Sequence, residues 1–157
     1  MESNTPQEVG GEGASRSLEV RLGEEVERSR RHRLPLALVF LRIEVPGTAC
    51  PVPGALTEAL ALLSRAVVRD SDTVLPLANG RLAVVANASP EGAAEMARVL
   101  ASELEAFQFT CGDRRLDLRV RFAVASLVDG MGPGELVRAA AEALECGCAE
   151  RTALGTS

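Results

Sequence analysis

The sequence predicts an α+β domain with a ferredoxin-like βαββαβ core, an antiparallel sheet with flanking helices, and three observations predict it. A continuous apolar run, Leu36 to Leu41, has the length of a strand and is followed by the breaker Pro46-Gly47. Two short apolar runs flank Ala78-Asn79-Gly80, and Asn-Gly between such runs is the strongest short-range hairpin signal. Elsewhere apolar residues recur every three or four positions, the spacing of one helix face. Strand, helix, hairpin, helix, strand is the split βαβ order, and its helices are expected on one face of the sheet.

Each element has its own signal. Leu18, Leu22 and Val26 mark a first amphipathic helix that ends in the Arg28 to Arg33 cluster, where positive charge suits the helix dipole. The uninterrupted Leu36 to Leu41 run predicts a central strand. Pro53-Gly54 opens a second helix with Leu56, Leu60, Leu63 and Val67 inward, and Arg69 to Asp72 end it. Thr73 to Leu77 and Arg81 to Val85 are the hairpin strands; Pro76 has no N–H to donate, so the first of them belongs at the sheet edge. A two-residue turn at Asn79-Gly80 with positive φ is expected. Ser89 is a good N-cap with Pro90 at the first helical position, and Ala93, Met96, Ala97, Leu100, Leu104 and Phe107 form the buried stripe of a third helix. After Gly112-Asp113, Leu116 to Val128 reads as one long strand with Asp117, Arg119 and Arg121 on a polar face. A last helix carries Leu136, Val137, Ala140, Ala143 and Leu144 on one side. The expected organisation is a leader at 1–15, one domain at 16–148 and a weakly patterned tail at 149–157.

Composition excludes several classes. The chain has 157 residues, 46% of them hydrophobic, enough for one core. A net charge of -5 argues against general affinity for nucleic acid or an anionic membrane. No apolar run reaches spanning length, and the polar N-terminus has no h-region, so a cytoplasmic location is expected. All 17 basic residues are arginine, which removes Schiff-base chemistry and a P-loop, both of which need lysine. His32 is the single histidine and lies among arginines, which disfavours a His-centred metal site. The four cysteines, Cys50, Cys111, Cys146 and Cys148, do not have C-x-x-C spacing, so reduced structural thiols are expected.

Three stretches carry a resemblance: Leu34 to Leu41, Val68-Arg69-Asp70-Ser71-Asp72-Thr73-Val74 and Ala139 to Leu144. In order and separation they resemble the GGDEF domain, the fold of diguanylate cyclases, which join two GTP molecules into cyclic di-GMP with two magnesium ions. By that resemblance the first metal-binding aspartate falls on Arg42, and a cation there repels a metal ion by on the order of several kcal/mol even at an effective dielectric near 20. Glu44 stands at the second acidic position. The signature hairpin falls on Ala78, Asn79, Gly80, Arg81 and Leu82, so its metal-binding acid becomes Gly80. The loop that would read guanine is shortened to Val45 to Gly54, and a phosphate-contacting lysine falls on Cys148. The resemblance therefore implies a degenerate domain that is not an enzyme, with no cofactor and no metal.

One family feature is retained. Arg69 and Asp72 have the spacing from the signature of an R-x-x-D site for cyclic di-GMP, with Arg98 close to a further arginine of that site. Arginine can donate twice to guanine O6 and N7, and a carboxylate can accept from N1–H and the amino group. Local physics offers another account, in which Asp72 caps a turn and Arg69 sits at a helix C-terminus. The expected function is a signalling module acting on another signalling protein or on a second copy of itself, with cyclic di-GMP reception at Arg69 and Asp72 as the alternative. A GTP-binding pocket without cyclisation is the enzyme-class competitor, which the loss of both metal acids disfavours.

Overall fold

The computed structural model describes residues 14–47, 54–111, 113–146 and 152–153. Helix α1 (Ala14–His32) leads into β1 (Ala37–Glu44), α2 (Gly54–Val67), the hairpin β2 (Thr73–Leu77) and β3 (Arg81–Ala86), and α3 (Pro90–Ala106). Short strands β4 (Phe109–Cys111) and β5 (Arg114–Leu116) precede β6 (Arg119–Ser126), α4 (Pro133–Glu145) and β7 (Thr152–Ala153). The five-stranded sheet has the order β2-β3-β1-β6-β7, antiparallel except for the parallel β6–β7 pair. This is the expected βαββαβ core. Central β1 and edge β2 stand where the apolar run and Pro76 place them. Helix α1 begins within the expected leader, and β7 lies within the expected tail.

The helices cover both faces of the sheet, not one. Val39, Leu41, Leu82 and Val84 pack with Leu60 of α2 and Leu100 and Leu104 of α3. Leu38, Phe40, Ala83 and Ala125 pack with Leu22 of α1 and Leu136 and Leu144 of α4. The reason lies in β1 itself. Ala37 to Leu41 are buried at every position, and a strand apolar on both sides needs a covering layer on each.

Three local expectations are corrected in the same way. The stretch from Leu116 is two strands, because Arg114–Leu116 turns back on Phe109–Cys111 as a separate ribbon before β6 begins at Arg119. Phe107 is the C-cap of α3, 39% exposed and stacked near Phe109 at 4.5 Å, and not part of the buried stripe. Val67 is 37% exposed; the inward face of α2 instead continues through Ala61 and Ser64. Ser64 donates to the Leu60 carbonyl at 2.8 Å, which satisfies its hydroxyl inside the core. The expected stripes of α1 and α4 are buried as Leu18, Leu22 and Val26 and as Leu136, Ala140 and Leu144. The N-cap at Ser89 forms as expected, its hydroxyl accepting from Gly92 N–H at 3.1 Å.

Candidate functional site

The hairpin connection occupies residues 78–80, since Leu77 pairs with Arg81. The loop is therefore longer than the expected two residues, although Asn79 and Gly80 both have positive φ, 63° and 71°. Its tip is anchored to the sheet: Ile43 N–H donates to the Gly80 carbonyl at 2.7 Å. Leu82 points the other way and is wholly buried in the core on the α2 and α3 side.

The sheet register assembles a charged cluster at this end of the molecule. Arg42 of β1 stands opposite Arg81 of β3 on one side and Arg121 of β6 on the other. Directly opposed residues of antiparallel strands share a face, so the three guanidinium stems lie in one row. All three side chains are about one-third exposed. Two carboxylates answer them. Glu145, in the last turn of α4, brings Oε2 to 3.3 Å from Arg81 and 4.0 Å from Arg42, and Glu44 pairs with Arg121 at 3.3 Å. Arg81 Nε is buried without a hydrogen-bond partner among the described residues. Among these residues no group of three or more His, Cys, Asp or Glu is placed to hold a metal ion. Sequence reasoning placed Arg121 only on the polar face of its strand and did not mark Glu145, because only the strand register and the α4 crossing bring them to Arg42. Cys148 and residues 48–53 of the shortened loop lie outside the described residues.

A second site lies at the opposite end of β3. Arg69 follows α2 and is exposed; its guanidinium donates to the Asn87 carbonyl at 3.1 Å and approaches Asp72 at 3.6 Å. The Asp72 side chain is only 1% exposed, and its Oδ2 accepts from the Arg69 backbone N–H at 3.2 Å. That is the turn-capping geometry. Its other oxygen, Oδ1, is buried without a partner among the described residues. A groove of about 570 Å³ opens beside Arg69 between the end of α2 and the start of α3, lined by Val67, Val68, Met96, Val99 and Glu95. Arg98 does not join this pair. It sits on the exposed surface of α3, ion-paired to Glu95. No helix among the described residues is long and apolar enough to cross a membrane.

No protein-family model matches the chain, and no curated protein matches it in sequence. Solved structures do match in fold. The active GGEEF domain of a diguanylate cyclase from Vibrio cholerae superposes with a TM-score of 0.67 at 18% identity, covering 88% of this chain and 94% of that one. Diguanylate cyclase SiaD of Pseudomonas aeruginosa, solved in complex with its activator SiaC, gives a TM-score of 0.71 at 16% identity over 89% of this chain and 57% of that one. The GGDEF domain of DgcB from Caulobacter crescentus, in complex with c-di-GMP, gives 0.69 at 11% identity over 100% and 99%. The expectation that the chain is not an enzyme is corrected by these neighbours, since the fold is that of diguanylate cyclases, among them the active domain from Vibrio cholerae.

Proposed function

We propose, from the GGDEF-domain fold that this chain has, that it is a regulatory domain of a bacterial cyclic di-GMP system, working in the cytoplasm by binding another signalling protein or a second copy of itself. The observation that carries this reading is the groove beside Arg69. Its wall leaves Val67 and Val99 37% and 44% exposed, a contiguous apolar surface rimmed by charge, as at protein interaction sites. SiaD, a diguanylate cyclase 57% of whose chain matches this fold, was solved in complex with its activator SiaC, which supports a protein partner. Cross-linking in the source cell, followed by identification of proteins retained by the native chain and lost by Val99→Glu, tests it. An unchanged set of partners would move the interface elsewhere.

A second reading, cyclic di-GMP at Arg69 and Asp72, is favoured by one specific observation: the exposed Arg69 side chain, held beside Asp72, lines a groove of about 570 Å³. The DgcB domain in complex with c-di-GMP supports it. Calorimetric titration with cyclic di-GMP and with GTP is the test. Binding of cyclic di-GMP in the tens of micromolar, weakened about tenfold or more by Arg69→Ala, is expected under this reading. Absence of heat removes the receptor role and leaves the protein partner.

A further inference from the structure

We propose that Arg65 and Glu105, together with Pro76, close the two open edges of the sheet, so that a second copy of this chain cannot add a strand to it. None of the three lines the groove beside Arg69.

An unpaired strand edge presents a row of backbone N–H and C=O groups with which another chain can pair. Among the described residues β2 ends the sheet on one side, and on the other side β7 covers β6 only at Val124 and Ala125. Strand alternation decides which groups face outward, since both backbone groups of a residue point to one side and the next residue points to the other. Ile43 N–H points toward β3 and meets the Gly80 carbonyl, so Val120, the β6 partner of Ile43, faces away from β1. Its N–H donates to Glu105 Oε2 at 2.7 Å. The same alternation turns Leu82 and Val84 toward β1, so their β2 partners Pro76 and Val74 face the open side. There the Val74 carbonyl accepts from the Arg65 guanidinium at 3.1 Å, and Pro76 has no N–H to offer. Two residues before Val74, the Asp72 N–H is already given to the Arg69 carbonyl at 3.0 Å.

The two charged side chains come from the last turns of the helices on one face, Arg65 from α2 and Glu105 from α3. Glu105 is exposed and stands where the helix dipole disfavours a carboxylate, so the Val120 N–H is what holds it over the edge. A strand added at either edge must displace a charged hydrogen bond, which is stronger than the neutral one it would bring. At β2 it also meets a gap in the ladder at Pro76. Recognition by strand addition is thereby closed, and protein partners are left the helical surfaces.

Sedimentation equilibrium and amide hydrogen exchange on the whole chain test this. Arg65→Ala combined with Pro76→Val should strengthen self-association about tenfold or more, and the Val74 N–H should then exchange more slowly as protein concentration rises. Arg65→Lys in place of Arg65→Ala keeps a charged donor and should restore native behaviour. Arg138→Ala, an exposed arginine of α4 on the other face of the sheet, should change nothing. At the β6 edge, Glu105→Ala should speed exchange of the Val120 N–H about tenfold or more while the central Val84 N–H keeps its rate. That exposed substitution keeps the test sound even if the paired variant folds poorly. Native-like association of the folded paired variant would overturn the proposal. So would association that leaves Val74 exchange independent of concentration, which places the contact elsewhere, or an unchanged Val120 rate in Glu105→Ala.

Discussion

At Gly80 a backbone φ of 71° combines with burial and with a carbonyl already engaged by Ile43 N–H. An L side chain tolerates that region poorly, and a β-branched one least. Gly80→Val is expected to destabilise the fold by about 1 to 3 kcal/mol, seen as a lower Tm; an unchanged Tm would show that the hairpin relaxes to another turn. Arg69 and Asp72 show how one spacing serves two purposes. The sequence marks both residues, but the spacing alone does not say whether the carboxylate faces a ligand or its own backbone. The structure turns Asp72 inward onto the Arg69 N–H, while the guanidinium stays 64% exposed. Ligand effects should therefore concentrate at Arg69.

The elements whose ends carry their own chemistry match expectation most closely. Ser89 and Pro90 start α3 because a hydroxyl can accept a first-turn N–H and proline has none to lose. Ser89→Ala is expected to cost about 1 kcal/mol, measurable as a lower urea midpoint with an unchanged m-value; a larger loss, with a changed m-value, would mean that α3 unravels beyond its first turn. Strand β6 shows the opposite case. Leu116, Leu118, Val120 and Phe122 alternate with polar residues without interruption, and periodicity cannot see a break that preserves the phase. The break after Leu116 comes from the partner strand, since Phe109–Cys111 pairs with Arg114–Leu116 before the main sheet claims the chain at Arg119.

The sheet separates two cores that, among the described residues, share no buried side chain. Leu22 and Leu60 are each fully buried, on opposite faces. Leu22→Ala and Leu60→Ala should each lower stability by about 2 to 5 kcal/mol. In a background stable enough to carry both, their effects should add to within about 0.5 kcal/mol, because no shared neighbour couples them. Equilibrium denaturation of the singles and the double measures this. A coupling of 1 kcal/mol or more would show that strain passes through the sheet.

The sequence by itself determined the four long helices and the strands β1, β2 and β3, that β1 is central and β2 an edge, and where α3 begins. Each of these rests on physics confined to a few neighbouring residues: proline's missing donor, the φ freedom of Asn-Gly, a hydroxyl at an N-cap, the period of apolar side chains. Only the tertiary structure decided that helices cover both faces, that Asp72 is buried, and that Arg42, Arg81, Arg121 and Glu145 meet. Those facts depend on strand register and on which face a crossing helix covers, and both are set by the packing of segments distant in the chain, where no local pattern can record them.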